Sequence, residues 1–186
     1  MRRALVRECL LVLLGVSGAS SAAAQLPAPP FTARTSLYAE LGGPGGLYSL
    51  GGDFLVTEHL AVRAGGSLWS VSGLNGVDES VQVVILGASR LWDVSDLLKA
   101  GPGRYAVAGM EIVAGSYQRV ANGATTVDGT YASLSPHAGL RLQQASGGLF
   151  LRLAFTPLIP IISRANAFPG PSVEWKAAGI SIGYTF

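Results

Sequence analysis

The last stretch of the chain, "GISIGYTF" (Gly179–Phe186), places Ile180, Ile182, Tyr184 and Phe186 on one side of an extended segment. Ser181, Gly183 and Thr185 fall on the other, because successive side chains of a strand point to opposite faces. Chain ends ordinarily fray into solvated residues. An alternation carried through to Phe186 predicts instead a strand pinned along its whole length, with one apolar face and one small, polar face.

The other end of the chain sets the compartment. Arg2, Arg3 and Arg7 precede the apolar run Leu10–Val16, and "SAAAQ" supplies small residues for cleavage between Ala24 and Gln25. That order predicts a secretory signal peptide over residues 1–24. The run is far shorter than the roughly 20 apolar residues that a spanning helix needs. The single cysteine, Cys9, lies inside the leader, so the exported part has no disulfide framework, thiol nucleophile or thiolate metal site.

Cleavage would remove three of the 13 basic residues and one of the 11 acidic ones, leaving ten of each sign. A neutral chain lacks the clustered Lys and Arg that nucleic acid demands. After the leader no stretch of 18 apolar residues occurs, which excludes a helical membrane protein. Residues 25–34, with "LPAPP", read as an extended periplasmic lead-in, and residues 35–186 as one domain.

From Thr35 onward the chain falls into eight alternating segments of roughly nine to eleven residues, the length of a tilted barrel strand. They centre on "SLYAEL", "YSLGGDF", "LAVRAGGSL", "VQVVILGASRL", "YAVAGMEIVAG", "YASLSPHAGLRL", "LFLRLAFT" and "AAGISIGYTF". Sorting by parity gives an uncharged apolar face. It includes Leu37, Leu41, Leu50, Phe54, Leu60, Val62, Val81, Val83, Ile85, Leu91, Ile112, Leu140, Leu153 and Ile182. The polar face collects Glu40, Asp53, Arg63, Gln82, Arg90, Glu111, Ser135, His137, Arg141 and Arg152. The fourth and fifth segments are ambiguous, since Val84, Leu86, Val107 and Val113 place apolar groups on the polar side, and a bulge or slipped register is expected there. The polar set is rich in Gly, Ser and Arg and carries no Lys, which suits a narrow lumen better than a water-exposed sheet face. The fold expected is an all-β, eight-stranded antiparallel up-and-down transmembrane barrel, apolar outside and polar inside.

The terminal pattern Ile180, Ile182, Tyr184 and Phe186 is similar to the signal by which outer-membrane proteins are recognised by the barrel-assembly machinery. "LYAELGGPGGLYSL", "GLRLQQASGGLFLRLAFTPL" and "GISIGYTF" resemble small outer-membrane barrels of the OmpA-like and OmpX-like eight-stranded class. The resemblance implies a bacterial outer-membrane location, contact with outer-membrane lipids, help from the assembly machinery during insertion, and a monomer. It also implies periplasmic termini, with Gly42–Gly46, Val71–Glu79, Gln118–Gly129 and Leu158–Glu174 as outer loops. Val56–His59, Trp92–Gly103 and Gln143–Gly148 become periplasmic turns, the middle one long enough for a helical turn.

Candidate sites follow from these faces. Glu40, Asp53 and Glu111 facing Arg63, Arg90, Arg141 and Arg152 form an expected lumen ion-pair network, because confined charges must pair. A plug is favoured over a selective pore, since the interior of an eight-stranded barrel is normally filled by side chains. Ser135 and His137 share a face near Glu111, so acyl-transfer chemistry is conceivable, yet their inward direction keeps a lipid away. Tyr38, Trp69, Trp92, Tyr105, Tyr117 and Trp175 are expected as interfacial aromatics. No cofactor, metal site or enzyme activity is expected. The leading role is a structural or surface-interaction barrel whose outer-loop ligand the sequence does not name. The alternatives are a narrow pore or small-solute transporter, a lipid-modifying enzyme, and a soluble periplasmic barrel.

Overall fold

The computed structural model describes residues 31–74, 76–99, 102–163 and 178–186. The expected leader, the lead-in up to residue 30, Trp175 and the loop from residue 164 to 177 lie outside the described residues. Nine strands follow in order: β1 (Thr35–Gly42), β2 (Tyr48–Thr57), β3 (Leu60–Leu74), β4 (Val77–Asp93), β5 (Arg104–Ala121), β6 (Ala124–Gln143), β7 (Gly148–Phe155), β8 (Ile159–Ser163) and β9 (Ala178–Thr185). Each pairs antiparallel with its neighbours, β9 pairs with both β1 and β7, and β5 pairs with β6, so the sheet closes. Strands β7 and β8 both run against β6, one after the other, and form a single stave interrupted around Pro157. The result is a closed barrel of eight staves.

Glycine and asparagine set the hairpins. Asn122 and Gly123 both take positive φ, 51° and 76°, as a two-residue turn between β5 and β6 requires. Gly76, at φ 70°, directly precedes β4. The stretches Val71–Glu79 and Gln118–Gly129, expected as outer loops, are therefore mostly strand ending in tight turns. The signal was the dipeptide Asn-Gly in both places, which marks a hairpin more strongly than a loop. Ile159–Ser163, expected within a loop, is strand β8. In the long connection after β4, Leu98 N–H donates to the Val94 carbonyl, and the Asp93 carboxylate accepts from Ser95 N–H, giving the single helical turn expected there.

One face assignment is inverted. The structure buries Val81, Val83, Ile85 and Leu91 in the interior and turns Gln82, Val84, Leu86, Ala88 and Arg90 outward. The cause is a register shift between Ser72 and Leu74. An unbroken hairpin on Asn75–Gly76 keeps the pairing Leu74↔Val77 throughout and puts Gln82 and Arg90 inside. The bulge slips the pairing by one, so Arg63 faces Gly87, and a one-residue slip moves every side chain of β4 to the opposite face. Glycine at position 87 fits the slipped register, because a Cβ there would lie 2.6 Å from Glu111 Cγ. Arg90 is thus not a lumen residue.

The interior is layered. Near the end where Phe31 and Phe186 lie, Leu55, Ala61, Leu91, Tyr105 and Val107 form an apolar floor, with Phe31 packed on Tyr105 at 5.2 Å between ring centroids. Thr32 and Ala33 N–H both donate to the Ala145 carbonyl, so residues 31–34 are folded under the barrel rather than trailing as a tether. In the opposite half, Val81, Val83, Ile85, Val113, Tyr117 and Tyr131 form a second apolar cluster. The 3-10 turn Gly43–Gly45 tucks into that mouth with Pro44 buried, and Ser67 Oγ donates to the Gly45 carbonyl at 2.7 Å.

Outside, the polarity is reversed. Leu37, Leu41, Leu50, Phe54, Leu68, Leu149, Leu153, Ile180 and Ile182 all face out, with Leu50 and Leu149 each 68 % exposed. The expected aromatic girdle needs correcting. Tyr38, Tyr105 and Tyr117 are buried inside, and Trp69 packs against the second inner cluster. Of the described members of that set only Trp92 lies on the outward register, opposite Ala106. Tyr48, Phe54, Phe155, Tyr184 and Phe186 supply exposed outer aromatics instead.

The turn geometry gives a direct test. A Cβ at Gly123 meets nothing within 4 Å, so its backbone conformation alone is at stake. Gly123→Val should lower stability by about 1–2 kcal/mol, the cost of a side chain in the left-handed region, measured by urea titration of the refolded barrel.

Candidate functional site

Between the two apolar layers lies a belt of buried charge. Glu40 on β1, Asp53 on β2, Arg63 on β3, Glu111 on β5, Arg141 on β6 and Arg152 on β7 all face the lumen, and Glu40 and Glu111 are completely buried. Three carboxylates meet three guanidiniums, so the belt is neutral as built. A fourth arginine from β4 would have unbalanced it.

Arg63 is the centre of the belt. Its two terminal nitrogens bridge Glu40 and Glu111, each through an ion-paired hydrogen bond. Arg152 Nη2 lies 3.4 Å from the other Glu40 oxygen, and Ser49 Oγ donates to Glu40 at 3.4 Å. A second node holds Asp53: Arg141 Nη1 donates to it at 2.8 Å and Tyr38 OH at 3.0 Å. Arg141 also donates to Gln143 Oε1 at 2.6 Å and to Ser36 Oγ at 3.0 Å, and Ser36 shares a 3.0 Å hydrogen bond with Thr185. Arg141 and Arg152 are direct cross-strand neighbours, an arrangement that repels like charges. They escape it by pairing with different carboxylates, Asp53 and Glu40. Tyr38 lies between Arg63 and Arg152, whose Cζ atoms are 5.4 Å and 5.2 Å from its ring centroid, and Arg141 sits 4.5 Å over Phe150. Such stacking adds stabilisation to an already paired cation.

Glycines make room for these groups. Tyr38 is flanked across the sheet by Gly51 and Gly183, and a Cβ on Gly51 would lie 2.9 Å from the Tyr38 ring. A Cβ on Gly179 would come within 2.6 Å of Glu40 Oε1. Tyr38, Ser36, Gln143 and Thr185 were absent from the expected network. Tyr38 shares parity with Glu40 in "TSLYAEL", so the signal for its inward direction was present in the sequence.

His137 lies in the same belt. Its Nε2 shares a 2.8 Å hydrogen bond with Ser89 Oγ, and its Nδ1 is 3.5 Å from Glu111 Oε1. The serine beside His137 is therefore Ser89 and not Ser135, whose hydroxyl has no hydrogen-bond partner among the described residues. This row has the residue types of an acyl-transfer triad. However, His137 Nδ1 makes no hydrogen bond to the carboxylate, and all three groups are buried among ion pairs with Leu91 and Tyr105 in the floor below. A nucleophile needs substrate contact, and here the neighbours are protein. His59 is exposed in the turn between β2 and β3. No cluster of three or more His, Cys, Asp or Glu suited to a metal ion occurs among the described residues.

Beyond the charge belt the long hairpins carry their own polar contacts. Tyr117 OH donates to Glu79 Oε1 at 3.0 Å, and Arg119 Nε is 3.5 Å from the same oxygen. Burial and the neighbouring carboxylate push the Tyr117 phenol above its ordinary pKa. The four assembly-signal candidates, Ile180, Ile182, Tyr184 and Phe186, face outward along and just past β9.

No protein-family model matches the sequence, and no curated protein sequence matches it. Among solved structures the chain is similar to Ail, the attachment invasion locus protein of Yersinia pestis, at 10 % identity and a TM-score of 0.47, covering 83 % of this chain and 99 % of Ail. It is also similar to CarO of Acinetobacter baumannii, at 10 % identity and a TM-score of 0.45, covering 85 % of this chain and 97 % of CarO. Both are small outer-membrane barrels of eight strands. The barrel architecture of this chain rests on its own strand register.

The belt predicts a strong mutational asymmetry. Arg63→Met should cost about 3–5 kcal/mol, because it leaves Glu111 without an arginine and Glu40 with only the longer contact to Arg152. Adding Glu111→Gln in that background should recover part of the loss, giving a coupling energy of about 0.5–3 kcal/mol in a double-mutant cycle by urea unfolding.

Proposed function

We propose that this chain is an integral barrel of the bacterial outer membrane with a closed lumen, serving a structural or surface-interaction role without enzymatic activity. The observation that carries the reading is the inverted polarity: a belt of buried ion pairs inside and a wall of exposed Leu, Ile, Val and Phe outside. A soluble barrel exposing that wall would far exceed the apolar patches that soluble monomers tolerate. In lipid the same wall is in its natural solvent, and at the level of β1, β2, β7 and β9 every stave is paired on both sides. Outward Ile180, Ile182, Tyr184 and Phe186 fit a C-terminal signal for the assembly machinery, and the end where Phe31 and Phe186 lie is assigned to the periplasm.

The surface role follows from strand length. The short staves β1, β2 and β9 have 8, 10 and 8 residues, whereas β5 and β6 have 18 and 20. Past the Leu-rich wall the outward residues of the long strands change to Asp78, Ser80, Gln82, Ser116, Gln118, Asp128 and Thr130. The tall hairpins thus stand beyond the apolar band as a polar sheet filled by Val81, Val83, Val113 and Tyr117. With the lumen filled, this projecting sheet is the part of the molecule available to a partner.

A pore is the second reading, favoured by arginine and carboxylate groups lining the lumen. Conductance in a planar lipid bilayer separates the two, after folding and insertion are verified by the mobility shift on heating. The refolded protein should insert and remain electrically silent. Steady ionic steps would replace the closed barrel with a pore, and Arg152→Ala should then change the step size.

A further inference from the structure

Arg90, which the bulge in β3 turns out of the lumen, is placed on the outer wall between Leu60 of β3 and Ala108 of β5. Its guanidinium carbon lies 5.6 Å from the centroid of the Trp92 ring. Among the described residues no carboxylate lies within ion-pairing distance of it, in contrast to Arg63, Arg141 and Arg152. Leu60 is the first residue of β3, and Leu91 N–H donates to the His59 carbonyl in the turn, so Arg90 sits where the apolar wall meets the rim where Phe31 and Phe186 lie.

The wall beside it is unusual. Ala88, Ala106, Ala108 and Ala138 are all outward positions, and the register sets Ala106 against Trp92, Ala108 against Arg90, and Ala138 against Ala108. Farther round the barrel the corresponding wall is built of Leu149, Leu153, Phe155 and Tyr184. The alanines, small beside the neighbouring Met110, Leu140 and Phe155, leave a low track of apolar wall next to the guanidinium.

We propose that this corner is a phospholipid site, resting on the membrane reading above. The phosphodiester of an anionic glycerophospholipid is held by Arg90, and one acyl chain lies along the alanine track. The planar guanidinium presents paired donors that match phosphate oxygens. The Trp92 ring, apolar in body with a polar N–H, fixes the guanidinium at headgroup depth. A free anion would use the guanidinium but not the track, whereas a lipid uses both. The terminal rim assigns the lipid to the periplasmic leaflet.

The test is native mass spectrometry of the refolded full-length barrel in detergent, with folding and insertion first shown by heat-dependent mobility and flotation with vesicles. Long-chain phosphatidylglycerol is the probe. Wild type should retain one equivalent. Arg90→Gln should bind about tenfold more weakly or worse, the loss expected for a charge-assisted hydrogen-bonded pair. Ala108→Leu, which fills the track and leaves the charge, should also weaken retention, and Arg34→Gln, an exposed arginine at the same rim, should not. Equal retention by Arg90→Gln and wild type, or no retention by an inserted wild type, would overturn the site and leave the membrane reading intact. Failure to insert would overturn both. Displacement of the lipid by equimolar inorganic phosphate would reassign the corner to a free anion and overturn the lipid.

Discussion

Arg63 bridging Glu40 and Glu111 is the interaction on which the rest of the barrel depends. The bridge ties β1 to β3 and β3 to β5, staves that are not sheet neighbours. Arg152 extends it from β7 to β1, and Arg141 with Asp53 spans β6 to β2. Backbone pairing alone closes a sheet but leaves its register free to slip, because hydrogen bonds repeat along a strand. A buried carboxylate cannot slip, since one step places it in the apolar exterior with no partner. The cross-lumen braces therefore convert charge balance into strand register. Burying ions is costly, and a well-packed apolar core can be as stable. In a barrel whose exterior is apolar, however, an apolar interior would leave neither face distinguished, so the ion pairs contribute specificity where hydrophobic pattern cannot.

That constraint also explains which parts of the fold were legible in the sequence. β1, β2, β6, β7 and β9 concentrate Leu, Ile or Phe on one parity and charge, hydroxyl or glycine on the other, with Leu55 and Phe150 as inward exceptions, so their faces follow directly. β4 has Val, Ile or Leu on both, and its one arginine lies near the strand end. Its face is decided at a distance, by the bulge between Ser72 and Leu74 and by the fit of Gly87 beneath Glu111. Neither is a property of β4 considered alone. Inward glycine, read as filling of the polar face, was the local clue not applied to β4: Gly51, Gly109, Gly115, Gly179 and Gly183 share parity with the lumen residues of their own strands, and Gly87 follows the same rule.

The pairings inside the belt were not legible at all. Parity says that Arg141 and Arg152 point inward, but which carboxylate each meets depends on how far the staves are sheared around the barrel. Cross-strand position would set the two arginines against each other. Only the curvature of the closed sheet sends one to Asp53 and the other to Glu40. The same holds for Ser89, which reaches His137 from β4 only because that strand is turned by the bulge. Likewise, nothing in "GGPGG" distinguishes a loop that projects from one that folds inward to bury Pro44. The reason for the inward fold lies on other strands, where Ser67 and Ile85 await it.

The closed lumen proposed above bears on where chemistry can happen on this molecule. Phe31 and the apolar floor pack into one mouth, the Gly43–Gly45 turn tucks into the other, and the ion belt occupies the middle. Each is built from a different part of the chain: an N-terminal segment, a hairpin turn and the strand interiors. Two outer regions among the described residues depart from plain apolar wall: the polar upper faces of the long hairpins, and the arginine with its tryptophan and neighbouring alanines at the opposite rim. The bulge in β3 contributes to both. It keeps an apolar inner face beneath the tall sheet, and it gives the outer wall a charge that the neutral lumen had no partner for.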